Sequence, residues 1–219
     1  MKKYLPILKT EPFSKGFTLT ELLVAMSLTV VVLTLAGSGL VSIMNANQKA
    51  ELETERRTNL NRALDFIADE IRTAKSVTSI PSGFSFAQGS TTVALLVTLP
   101  ATSPSSNPPR IVYFINPSTT NWAVPYTIRR YELPSTYSSG IISVPSDADS
   151  SVNMLVDGIM PPTTTLPTCM TNGGLKGANG FYACISDDNR TVDLYLYGKL
   201  SNTNSTTYEA KTRVFARSN

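Results

Sequence analysis

KGFTLTELLVAMSLTVVVLTLAGSGLVSIM, residues Lys15 to Met44, holds one carboxylate, Glu21, and no further Asp, Glu, Lys or Arg follows until Lys49. A helix needs roughly 20 mainly apolar residues to cross a bilayer, so this run is long enough to do so. A charge within such a segment costs at least roughly 2.5 kcal/mol at mid-bilayer depth and normally has a partner and a purpose. An ordinary secretory signal has an apolar core of roughly 7–15 residues followed by a small-x-small cleavage site. The apolar segment here is longer than that. The residues before it are polar and cationic, and Gly16-Phe17 marks the junction.

At that junction Lys15-Gly16-Phe17-Thr18-Leu19-Thr20-Glu21 resembles the class III signal of type IV pilins and type II secretion pseudopilins, with Gly16, Phe17 and Glu21 all in register. The resemblance implies that a membrane prepilin peptidase cuts after Gly16 and methylates the new N-terminal Phe17. The apolar helix is then retained and can pack into a filament. It further implies that Glu21 neutralises the Phe17 amine of a neighbouring subunit, since either charge alone is costly in an apolar setting. An intrachain Glu21–Phe17 pairing one turn apart is the competing explanation, and a plain signal anchor in which Glu21 is incidental is the bland one.

Charge is divided along the chain. Of the 19 basic and 16 acidic residues, Lys2, Lys3, Lys9, Lys15 and Glu11 lie in residues 1–16, leaving 15 of each sign after Gly16. A cationic leader keeps the N-terminus cytoplasmic under the positive-inside bias, which puts residues beyond the apolar run in the periplasm or outside the cell. The remaining neutrality offers no global electrostatic case for nucleic-acid binding. Histidine is absent, which removes the commonest general base and metal ligand. Cys169 and Cys184, in an oxidising compartment, read as a disulfide closing a short loop; two unpaired buried thiols are the alternative.

The chain divides into a leader (1–16), a membrane and filament-core helix (17–48), an amphipathic helical half (49–76) and a β-rich head (77–219). Pro6 and Pro12 argue against a helical leader. One long helix is expected from Phe17 to about Ser76; Gly37 and Gly39, tolerated in membrane helices, are its weak points. Beyond Lys49, Leu60, Leu64, Ile67 and Ile71 recur at helical spacing and form a stripe for a globular domain to cover. Glu53–Arg57, Arg62–Asp65 and Asp69–Arg72 are candidate helical ion pairs. Thr78-Ser79-Ile80-Pro81-Ser82-Gly83 ends the helix. Short β-like runs follow over residues 92–99, 110–115, 126–133, 154–159, 181–186, 192–200 and 208–217, separated by loops such as Ser103–Pro109. Val192-Leu194-Leu196 alternates with Asp193-Tyr195-Tyr197, the period of a half-buried strand. The expected fold class is α+β and type IV pilin-like, an antiparallel sheet packed on the amphipathic half of the long helix.

Residues 61–72, Ile128-Arg129-Arg130-Tyr131 and Leu155-Val156-Asp157-Gly158-Ile159 are similar to the minor pilin W and pseudopilin J subgroup. The Pro- and Ser-rich loops are similar to a cyanobacterial polysaccharide-secretion pseudopilin. These resemblances imply a non-enzymatic subunit near the tip of a filament serving secretion, motility or adhesion. Its partners would be the prepilin peptidase, other pilins or pseudopilins, the inner-membrane assembly machinery and the inner-membrane lipid, with no cofactor. A ligand-binding tip module, recognising a surface, polysaccharide or DNA, is the alternative. Asp187-Asp188-Asn189 and Asp147-Ala148-Asp149 are candidate calcium loops without the spacing of a defined motif, and acidic turn residues are common for backbone reasons. Arg129-Arg130 with Trp122 and Tyr126 combine charge and aromatics as nucleic-acid contacts do, but a strand with one solvated face accounts for them too.

Overall fold

The computed structural model describes residues 16–79, 84–86, 92–101, 107–118, 123–133, 140–142, 152–163, 165–169, 173–200 and 207–217. Residues 1–15, Trp122, Asp147-Ala148-Asp149, Ile80–Gly83 and most of the Ser103–Pro109 loop lie outside them.

Helix α1 runs from Leu19 to Thr73. Chain contacts separate an N-terminal unit ending at Gln48 from a C-terminal unit beginning at Lys49. In the N-terminal unit every described residue is exposed, the helix is long and apolar enough to cross a membrane, and it passes through Gly37 and Gly39 without a break. Nothing lies within 4 Å of a Cβ placed on either glycine.

In the C-terminal unit the expected stripe is the buried face of α1: Leu60, Ala63, Leu64, Ile67, Ala68 and Ile71. The strands are β1 (Ser76–Thr78), β2 (Phe84–Phe86), β3 (Thr92–Thr98), β4 (Arg110–Pro117), β5 (Tyr126–Leu133), β6 (Gly140–Ile142), β7 (Val152–Ile159), β8 (Leu175–Ala178), β9 (Phe181–Ile185), β10 (Thr191–Lys199) and β11 (Thr207–Phe215). Among the described residues nine strands form an antiparallel sheet in the order β1-β3-β4-β5-β7-β10-β9-β8, with β11 added to β10; β2 and β6 form a separate parallel pair. The sheet curls until its two ends approach: β3 lies against β8 and β9, and Val77 of β1 donates its amide to the Asn189 carbonyl beyond β9 at 2.8 Å. The α1 stripe shares one hydrophobic core with Leu95, Ile111, Ile115, Ile128, Phe181 and Leu194 among others. Each fully buried side chain of this kind contributes roughly 1.5–3 kcal/mol.

Two glycines shape this unit. At Gly198 a Cβ would lie 2.3 Å from Leu60 Cδ1, so a bare backbone there lets α1 seat on β10. At the β8–β9 turn Ala178 pairs with Phe181, and both intervening residues have positive φ, 54° at Asn179 and 105° at Gly180. Asn-Gly is the pair that favours such a two-residue hairpin turn.

Three expectations change. The helix stops at Thr73 rather than near Ser76, because Lys75 donates to the Thr98 carbonyl at 2.8 Å and Ser76–Thr78 pair with β3; tertiary pairing wins over helical continuation. β10 is buried on both faces instead of one. Its second face carries Tyr195 and Tyr197, packed with Tyr182, Cys184, Cys169 and Leu175. Cys169 is joined to Cys184 by a disulfide spanning 15 residues, with Cα atoms 5.5 Å apart, so the returning segment covers a face that alternation alone assigns to solvent. Of the expected helical ion pairs, Asp69–Arg72 forms. Arg57, expected to pair with Glu53, has its guanidinium 5.3 Å from the Tyr208 ring centre instead, while Arg56 and Glu70, outside those pairs, reach across to the sheet.

Candidate functional site

The helix start is built from its first four residues. Thr18 precedes α1 as its cap: the Glu21 amide donates to Thr18 Oγ1 at 3.3 Å, while Thr18 N and Thr18 Oγ1 each donate to Glu21 Oε2 at 3.0 Å. This is a capping box, in which Thr and a carboxylate three residues on satisfy each other's exposed backbone donors. The first helical hydrogen bond, Leu22 N to Thr18 O at 3.2 Å, closes directly behind it. The carboxylate also lies at the positive end of the helix macrodipole, where negative charge is favoured. The pattern T-x-x-E was present in the sequence as a helix-start signal, and the Thr18 partnership is the one interaction at this site that the motif reading leaves out.

Phe17 stands outside the cap with 86% of its surface exposed. Together with Glu21, Leu22, Ala25, Met26 and Val30 it lies along one open flank of the helix. Gly16 is exposed too, with nothing within 4 Å of a Cβ placed on it. The backbone at the Gly16–Phe17 bond is therefore unobstructed by any described residue, and Gly16, Phe17 and Glu21 occupy one short segment at the helix entrance.

The candidate sites of the head resolve differently. Arg129 and Arg130 are not on a solvated strand face. Arg129 is 4% exposed, and its Nε donates to Thr127 Oγ1 at 3.3 Å. Arg130 grips Glu70 of α1, with Nε 3.0 and 3.2 Å from the two carboxylate oxygens and Nη2 2.9 Å from Oε1. Glu70 also accepts from the Tyr113 hydroxyl. This cluster ties the helix to β4 and β5, and its guanidinium is engaged rather than presented to a nucleic acid.

At Asp187-Asp188-Asn189 the chain makes the β9–β10 turn. Asp188 Oδ1 accepts from the Ser186 hydroxyl and, at 3.0 Å, from the Arg190 amide. Those bonds, the Ser186 hydroxyl foremost, hold the Asp188 carboxyl below its ordinary range. The acidic side chain thus serves the turn's own backbone, as Asx turns do. Among the described residues no group of three or more His, Cys, Asp or Glu is placed to hold a metal ion. On the second face of β10, burial, with Glu209 beside the hydroxyl, pushes Tyr197 up to about 12.

Residues 13–37 match the family of the prokaryotic N-terminal methylation motif. No curated protein and no solved structure shows a significant match to the chain. The matched segment contains the whole capping box, the Gly16–Phe17 junction and the first turns of the apolar helix. A motif of this prepilin type implies processing by a prepilin peptidase and assembly with other pilins, and with the apolar helix it points to membrane anchoring. The architecture, a long N-terminal helix on a curled antiparallel sheet, is type IV pilin-like, and the motif supports a subunit of the general pilin or pseudopilin type.

Proposed function

We propose that this chain is a minor pilin or pseudopilin, a structural and non-enzymatic subunit that enters or primes a type IV pilus-like filament at or near its tip. The observation that carries this reading is the methylation motif over residues 13–37, which runs into the apolar N-terminal part of α1. In this reading the peptidase removes residues 1–16 by cutting after Gly16, whose missing side chain admits the enzyme, and Phe17 becomes the methylated N-terminus. Residues 17–48 lie in the inner membrane with the N-terminus cytoplasmic, then pass into the filament core. The amphipathic half and the head stand in the periplasm or at the cell surface.

Glu21 then has two tasks. Within its own chain it completes the Thr18 cap. Between chains it neutralises the Phe17 amine of a neighbour, an economical arrangement because a lone charge in an apolar setting is costly. A carboxylate accepts at both oxygens, so the Thr18 bonds leave capacity for that amine. Glu21→Ala is expected to leave cleavage intact while lowering filament incorporation; wild-type incorporation in that variant would sink the assembly role.

The experiment that tests the whole proposal is a clean deletion, scored for sheared surface pili and for exported product side by side. Loss of pili or motility assigns the chain to a pilus. Retained pili with a protein or polysaccharide held inside assign it to a secretion system. If neither changes, the filament reading fails.

A further inference from the structure

Asn189-Arg190-Thr191 has the form Asn-x-Thr with no proline between, the acceptor triplet for N-linked glycans on surface loops of exported proteins. One other triplet of this form occurs, Asn204-Ser205-Thr206, and it lies outside the described residues. The first triplet sits at the turn between β9 and β10, with Asn189 and Arg190 exposed and Thr191 opening β10. Both backbone groups of Asn189 are engaged: its amide donates to the Ser186 carbonyl at 2.9 Å, and its carbonyl accepts from the Val77 amide at 2.8 Å. Its carboxamide makes no hydrogen bond among the described residues. A φ of 57° accounts for an Asn at this position, since Asn enters the left-handed region more readily than most residues. It does not call for a threonine two residues on. Thr191 serves the turn through its backbone, its amide donating to Ser186 Oγ at 3.0 Å and its carbonyl accepting from the Ser186 amide at 2.9 Å. A β-branched residue suits the start of a strand, but valine would do as well. The Thr191 hydroxyl makes no hydrogen bond among the described residues and is left over.

Asn189 and Asp187 line an open hollow together with Thr78, Ser79, Gly174 and Lys176, where the end of β1 comes beside the start of β8. The groups gathered there are two hydroxyls, a carboxamide, a carboxylate and an ammonium, the donors and acceptors that the hydroxyls of a sugar ring can use. We propose that Asn189 is an N-glycosylation site and that the polar hollow beside it seats the first sugar of the attached glycan. The donor is a lipid-linked oligosaccharide diphosphate. The bond from its anomeric carbon to the diphosphate oxygen breaks, a bond forms from that carbon to Asn189 Nδ2, one Nδ2 proton leaves, and the lipid diphosphate departs with the bonding electrons. The Thr191 hydroxyl is the second point at which a membrane transferase reads the triplet. Because the folded turn engages the triplet's backbone, transfer precedes closure of the turn, and folding then lays the glycan on the hollow. The site goes beyond the function proposed above and rests on it only in placing the head outside the cytoplasm, where the transferase acts.

The test uses the full-length chain in the membranes of its native host, with two measurements side by side. Protease added to spheroplasts reports whether the head lies outside the cytoplasm, and mass spectrometry of the peptide containing Asn189 reports its modification. The expected result is a head that the protease cuts and an oligosaccharide mass on Asn189. Asn189→Gln and Thr191→Val should lose that mass, whereas Thr191→Ser should keep it, because the triplet accepts either hydroxyl. An unmodified Asn189 in a head that the protease reaches would overturn the glycan site and leave the filament reading standing. A head that the protease cannot reach would overturn both. Retention of the mass in Thr191→Val, or its complete loss in Thr191→Ser, would also overturn the proposal.

Discussion

Gly198→Ala should test the seating of the helix on the sheet most directly. A Cβ at this position would lie 2.3 Å from Leu60 Cδ1 and 2.7 Å from Cδ2, against an optimal carbon separation of about 3.5–4.0 Å. Leu60 is 2% exposed and cannot swing into water without giving up its burial. Gly198 also pairs with Ile159 of β7 and with Tyr208 of β11, so the strand has little freedom to retreat. Overpacking of this kind costs about 1–3 kcal/mol. For a unit of this size each kcal/mol lowers Tm by roughly 2–4 °C, so a fall of roughly 2–12 °C is expected. The assay is thermal unfolding of the full chain in detergent, followed by near-ultraviolet circular dichroism so that the head rather than the exposed helix is read. Leu60→Ala alone should cost about 2–5 kcal/mol by leaving a cavity. Joined to Gly198→Ala it should cost less than the sum by roughly 0.5–3 kcal/mol, as expected for residues in contact, because each change relieves the other. An unchanged Tm for Gly198→Ala, or strict additivity in the double variant, would refute the close approach.

Cys169→Ser opens the covalent loop over the second face of β10 and should cost about 3 kcal/mol, the chain-entropy value for a loop near 15 residues, read as a shift in the urea midpoint. Glu70→Ala removes the principal carboxylate from Arg130, whose side chain is 15% exposed. A loss of about 1–3 kcal/mol is expected from the charged hydrogen bonds given up, and a neutral result would show that Glu132, 3.8 Å from Arg130, suffices. Because Tyr197 is pushed up to about 12 by burial and by Glu209, the folded state holds that proton more tightly than the unfolded one. Its contribution is complete below about pH 10 and fades as pH rises from about 10 to 12, so Tyr197→Phe should flatten that part of the stability curve relative to wild type. Glu21→Gln keeps an acceptor for the Thr18 cap while removing charge. If filament incorporation depends on charge, Glu21→Gln should fail as Glu21→Ala does; if it depends on the cap, Glu21→Gln should assemble.

The N-terminal half was readable one residue at a time. An uncharged run after Glu21, the Gly16-Phe17 junction and the Leu60, Leu64, Ile67, Ile71 spacing are local patterns, and each depends only on neighbours within a few turns. The seven β-like runs were likewise visible, since alternation and β-branching follow from the pleat of a strand. The β8–β9 hairpin could also have been seen, because Asn179-Gly180 is a strong turn signal; β8 lacks the β-branched run that would have drawn notice. The T-x-x-E cap at Thr18 was equally plain, but the processing motif offered another use for the same carboxylate.

What only the tertiary structure decided were contacts between residues far apart in the chain. Arg130 reads as a solvated cation until Glu70, 60 residues earlier, is brought beside it, and Arg56 finds Asp157 across 101 residues. The second face of β10 reads as wet until the segment tied by Cys169–Cys184 returns over it. Residues 74–76 continue the helix in sequence terms until β3 offers Lys75 and Ser76 partners. In each case the local pattern reports only a preference, and the outcome depends on desolvation and on partners supplied by distant parts of the chain. The amino-acid sequence alone determined the membrane-competent helix and its processing motif, whereas folding determined which charges are spent inside the head.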